Sequence, residues 1–186
     1  MTTLTLNITS RDVEREMCRR SFPFFLRHVR IQEPPVPGLP DSGGVIPLEP
    51  WPHLLELAEA LPATLLLALL KARQDGATWL VAAYLAWLGI YRKGTDGLLL
   101  SRTEPDAIDF LSRVGSVLRL LPRHLSLPVT KEASLSLTLA NGSRFTAMAS
   151  TEDAGRGHTY SVVVQDEADF HPYLAQNYTA IKPTID

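Results

Sequence analysis

Between Leu65 and Leu80 the chain reads LLLALLKARQDGATWL. An apolar run, Thr64 to Leu70, breaks at Lys71 into a short polar segment around Gly76, and Thr78 opens a second apolar run with helical periodicity. Strand, tight loop and helix in that order leave free backbone amides at a helix start, where they face an anion. That is the layout of a phosphate-binding loop. The pattern G-x-x-x-x-G-K-[ST] is met in part. Gly76 and Thr78 stand where the last glycine and the Mg²⁺-binding hydroxyl belong, Ala77 replaces the lysine, and Lys71 occupies the position of the first glycine.

A second stretch, YSVVVQDEADFH from Tyr160 to His171, complements the first. Val162 to Val164 read as a buried strand, with Asp166 and Glu167 at its C-terminal end. One carboxylate there can hold the Mg²⁺ of a nucleotide, and its neighbour can orient or deprotonate water. Residue type then assigns the roles. Backbone amides of Gln74, Asp75, Gly76, Ala77 and Thr78 cradle the β-phosphate, the Thr78 hydroxyl and Asp166 hold Mg²⁺, and Glu167 activates the attacking water. The absent lysine leaves two readings open. Lys71, on a flexible four-carbon stem, reaches the same phosphates from the other flank with Arg73 as a forked γ-phosphate donor; or Ala77 marks a decayed loop.

Three segments, KARQDGATWL, ASTEDAGRGHT and VVVQDEADF, resemble the ATPase motor domain of the large terminase subunit of tailed phages and prophages. In that family an arginine and a glutamine often precede the loop glycine, as Arg73 and Gln74 do, and some members carry the lysine upstream, at the place of Lys71. The resemblance implies an α/β fold of the P-loop NTPase (ASCE) type, a mostly parallel sheet flanked by helices, with an added antiparallel hairpin. It implies ATP and Mg²⁺ as cofactors, and an ATP hydrolase that drives viral DNA into a procapsid. Double-stranded DNA, the small terminase subunit, the portal and further copies of the chain in a ring are the implied partners, in the host cytoplasm at the procapsid portal. A nucleotide-binding or assembly module without turnover is the alternative. Arg156 sits where the family has an arginine that reaches a neighbour's nucleotide; bonding to local carbonyls is the other reading. Trp51 falls where a family tryptophan lies by the adenine, with core packing as its alternative. Ser101 and Arg102 fall in the region that the family uses to couple nucleotide state to DNA and read as contacts there, with a helix cap by Thr103 as the alternative.

The family continues past the equivalent of Asp186, with a further strand and a nuclease domain. On that resemblance the motor is C-terminally truncated. The strand between the phosphate-loop strand and the acidic strand is then missing, and two apolar strands lose their shared neighbour.

With 186 residues, 45% hydrophobic and 20% charged, the chain is large enough for a packed core without staples. A net charge of −2 excludes a nucleic-acid coat, so any DNA contact is local. The single cysteine, Cys18, forms no internal disulfide and reads as a semi-buried helix residue. No secretory signal opens the chain, and the apolar run Thr78 to Tyr91 is shorter than the ~20 residues that span a bilayer, so no membrane association is expected.

Residues 1–46 read as a basic helical segment with a proline- and glycine-rich connector, and 47–186 as the ATPase core. A helix capped by Ser10 or Asp12 runs to about Val29, kinked or split at Pro23. Helices are predicted over Trp51 to Leu61, Thr78 to Tyr91 and Glu104 to Leu121, and strands over Ala63 to Leu70 and Gly97 to Ser101. Asn141-Gly142 marks a hairpin between Ser134–Ala140 and Ser143–Ala149. Asp169 and His171 crowd the acidic pair, and reading them as helix-capping residues is preferred to a second metal site; ADFHPYLAQNY reads as a short helix.

Overall fold

The computed structural model describes residues 8–35, 37–38, 43–70 and 76–182. Helix α1 (Ser10–Arg20) begins at Thr9, one residue before the expected cap. The Asp12 amide donates to the Thr9 hydroxyl at 3.2 Å, and the Thr9 amide donates to the Asp12 carboxylate at 2.9 Å. This reciprocal pair satisfies two amides that the first turn leaves open. Ser21 ends α1 and caps α2 (Phe22–Leu26), where Pro23 sits in the first turn and its missing N–H leaves no gap. The proline therefore divides the predicted helix in two.

Strands β1 (Arg30–Glu33) and β2 (Gly44–Pro47) pair antiparallel as a separate two-stranded ladder. They flank the connector that the composition marks, which is why its prolines do not announce them. Helix α3 (Pro52–Ala60) follows Trp51, and one 3₁₀ turn, Leu61–Ala63, ends it.

The strand expected over Ala63 to Leu70 is not formed. Residues 64–70 take no regular structure, and Leu65 and Leu70 are 98% and 96% exposed. A strand needs a hydrogen-bonding neighbour, and among the described residues this segment has none in the sheet. Its apolar run is real, but apolarity alone does not pair a backbone.

Beyond it come α4 (Ala77–Tyr91), β3 (Asp96–Ser101), α5 (Glu104–Leu120), β4 (Val129–Ala133), β5 (Ser136–Leu139), β6 (Arg144–Ala149), β7 (Val162–Gln165) and α6 (Leu174–Ile181). The five-stranded sheet has the order β4-β5-β6-β3-β7. Strand β3 pairs parallel with both β6 and β7, while β4–β5 and β5–β6 are antiparallel, so the sheet is mixed. The hairpin signal is correct: Gly142 turns at φ 87°, and the Asn141 side-chain amide donates to the Gly89 carbonyl at 2.8 Å, fastening the turn to α4. β4 lies outside the predicted elements; its exposed, charged sequence VTKEA suits an edge. β7 is the other edge and is half-buried rather than buried, because among the described residues one side of it faces no strand.

Alternation along β3 divides the core. Leu99 packs in a large cluster with α4, α5 and the N-terminal helices, whereas Leu98 and Leu100 pack on the opposite face with Ala154, Tyr160 and Ile181. On the first face the ring of Phe145 is wedged between two glycines. A Cβ at Gly89 would meet it at 2.8 Å and a Cβ at Gly97 at 2.5 Å. Residues before the connector share this core: the Trp87 indole N–H donates to the Cys18 carbonyl at 2.7 Å, and Phe22 lies 5.7 Å from the Trp87 ring. No helix among the described residues is long and apolar enough to cross a membrane.

Candidate functional site

Parallel strands β3 and β7 end side by side, with Leu100 opposite Gln165. Side chains beyond those ends open into the crevice where α/β sheets collect ligands. On β3, Ser101 closes the strand and Thr103 caps α5: the Asp106 amide donates to the Thr103 hydroxyl at 3.3 Å, and that hydroxyl donates to the Asp106 carboxylate at 2.7 Å. The cap reading of Thr103 is therefore correct. On β7, the Asp166 amide still donates to the Leu100 carbonyl at 3.0 Å, and the chain then turns sharply. Glu167 adopts φ 52°, ψ 43°, the one left-handed non-glycine residue among those described.

The third wall is the start of α4. Gly76 takes φ 81°, a conformation that favours glycine, and leaves the first-turn amides of a 15-residue helix pointing out of its N-terminus. Thr78 lies in that first turn. Together Thr78, Ser101, Arg102, Asp106, Asp109, Phe110, Arg113, Asp166 and Glu167 line one cleft of about 240 Å³. Thus Thr78 lines the same cleft as Asp166 and Glu167, nearly ninety positions away in sequence.

The cleft's charge is informative. Four carboxylates (Asp106, Asp109, Asp166, Glu167) face two guanidiniums, Arg102 and Arg113. Each arginine is held by an α5 carboxylate one turn away, Arg102 by Asp106 at 3.6 Å and Arg113 by Asp109 at 2.7 Å. An anionic ligand entering here meets net negative charge unless a cation accompanies it. Hydroxyl and carboxylate oxygens are the hard donors that a divalent cation such as Mg²⁺ takes, so the residues present fit one. Among the described residues no group of three His, Cys, Asp or Glu side chains is arranged to hold a metal by itself.

Other predicted positions stand apart. Lys71, Arg73, Gln74 and Asp75 lie outside the described residues. Ala77 is 1% exposed and belongs to the core cluster. Trp51 is 58% exposed and rests edge-on against His53, which rules out core packing; it is not among the residues lining the cleft. Arg156, in the loop before β7, pairs with Asp153 at 2.7 Å and is also outside the cleft. Asp169 lies in a 3₁₀ turn, Ala168–Phe170, and His171 is buried, its Nε2 2.8 Å from the Asp166 carbonyl.

Asp106, Asp109 and Arg113 escape a reading of strand ends alone. They recur at spacings of three and four along α5, beside its apolar face, so the signal is a polar stripe at helical period next to a crevice strand.

No family model matches the chain. Among solved structures it is similar to the ATPase domain of the large terminase of Thermus phage P74-26, with 25% identity and a TM-score of 0.49. The match covers 61% of this chain and 51% of that one, so it spans about half the length of that structure.

Proposed function

We propose that the chain is the ATP-hydrolysing motor module of a phage large terminase. The observation that supports this most is the shared cleft of Thr78, at the start of α4, with Asp166 and Glu167, at the end of β7. Nothing in local sequence requires that meeting; the fold produces it.

In this reading the α4 amides bind phosphate, adding the positive end of the helix dipole to their hydrogen bonds. Thr78 and Asp166 would hold Mg²⁺, which when bound neutralises charge on the β- and γ-phosphates. Glu167 takes the proton of the attacking water on a carboxylate oxygen. Lys71 and Arg73 supply cations beyond Arg102 and Arg113, whose guanidiniums are paired with Asp106 and Asp109, and Gln74 and Asp75 complete the loop. Arg156 completes a neighbour's site across a ring of copies. Trp51, exposed beside the helix that leads toward the loop, stacks on the base. Double-stranded DNA, the small terminase subunit and the portal are the partners at the procapsid.

A second reading, a nucleotide-binding or assembly module without turnover, is favoured by Ala77 and by segment 64–70, which joins no sheet among the described residues. ATP hydrolysis by the wild type, Lys71→Ala and Glu167→Gln, with and without DNA, separates the two. The motor reading expects turnover that both substitutions abolish, with Glu167→Gln still binding ATP. Binding without turnover in the wild type selects the module, and no binding at all ends both.

A further inference from the structure

The chain after the acidic turn doubles back over the sheet and makes polar contacts at both ends. At one end His171, 6% exposed, places Nε2 2.8 Å from the backbone carbonyl of Asp166. A carbonyl only accepts, so Nε2 carries the proton and donates. Nδ1 is then a bare acceptor, buried with no partner among the described residues. Burial with half its hydrogen-bonding capacity unmet is costly, and the bond to Asp166 is the contact it retains. That contact sits on the turn that forces Glu167 left-handed, a conformation that surrounding structure must impose.

At the other end, on α6, Asn177 is fully buried and bonded on both sides. Its amide donates to the Thr151 carbonyl at 2.6 Å, and the Ser150 hydroxyl donates to its carbonyl oxygen at 2.6 Å. Ser150 and Thr151 are the root of the loop that carries Arg156. One turn on, Ile181 packs so closely on Gly155, the residue before Arg156, that a Cβ there would meet it at 2.8 Å.

We propose that the segment from His171 to Ile181 is a brace that holds the acidic turn and the Arg156 loop in one frame, with His171 and Asn177 as its positioning residues. Its significance rests on the reading of Glu167 and Arg156 as site residues of a motor: a shift of the acidic turn would carry the arginine loop with it.

Amide hydrogen exchange of the ligand-free chain tests this from both ends. The reporters are Phe170, bonded to the Glu167 carbonyl, and Ala154 and Arg156, bonded to the Thr151 and Asp153 carbonyls. His171→Asn removes the reach to Asp166, His171→Gln restores a donor near the Nε2 position, and Asn177→Ser cannot span its two partners. In His171→Asn and in Asn177→Ser, both sets of reporters should exchange at least about tenfold faster while α5 amides keep their protection. His171→Gln should restore both sets. Acceleration at only the mutated end overturns the brace, as does no acceleration. Equal exchange in His171→Gln and His171→Asn overturns the donor role. If one substitution unfolds the chain, as lost α5 protection would reveal, the other decides alone. The experiment needs neither nucleotide nor turnover, so failure to bind ATP would sink the motor reading and leave this result standing.

Discussion

Arg113 lies over the indole of Trp79, its guanidinium carbon 5.3 Å from the ring centroid, while Asp109 holds the guanidinium at 2.7 Å. The pair joins α5 to the first turn of α4 at the rim of the cleft. Arg113→Ala should cost about 0.5–1 kcal/mol, the worth of one partly exposed cation–π contact with its ion pair. Urea unfolding measures the loss, and a changed Trp79 emission confirms that the contact exists in solution.

Phe145 fills the space left by Gly89 and Gly97. Gly97→Ala pushes a methyl into that ring from a central strand, which should destabilise by about 1–3 kcal/mol. Phe145→Ala leaves a cavity instead and should cost about 3–5 kcal/mol. Unfolding midpoints at constant m-value report both.

Hydrogen bonds from Arg19 and Arg20 bring the Glu16 carboxyl down to about 2, from an ordinary 4.5. A lowered folded-state value means stability present above the unfolded value and lost as protons bind. Stability should therefore fall as pH drops from 4.5 toward 2, and Glu16→Gln should flatten that part of the curve. These groups are exposed, so added salt should shrink the difference.

Burial pushes the Cys18 thiol up to about 11, with the Glu14 carboxylate adding to the effect. Little thiolate exists at neutral pH, and the side chain is fully buried. Iodoacetamide should leave the native chain unmodified and label it only as it unfolds.

Much of this was legible in the residues. Thr103 with Asp106, Asn141-Gly142, and the apolar runs of α4 and β3 each carry a local cause, and each stands where the sequence places it within a residue or two. Thr78, Asp166 and Glu167 line one cleft although the strand expected before Thr78 is not formed, so that meeting comes from the fold and not from the motif order. What failed depends on partners. Residues 64–70 have a strand's composition but no neighbour to pair with among the described residues, and β1 and β2 pair across a connector whose prolines mask them. Asp109 and Arg113 enter the cleft from α5, where a polar stripe at helical spacing marks them but a reading of strand ends alone does not.

The most direct test of the central claim is calorimetric binding of ATP, with Mg²⁺ and with EDTA, to the wild type, Thr78→Ala and Asp166→Asn. The account predicts Mg²⁺-dependent binding by the wild type and its loss in both variants, whose α-helical circular dichroism stays unchanged. Equal binding by all three, or binding indifferent to Mg²⁺, would contradict a nucleotide–metal site between α4 and β7.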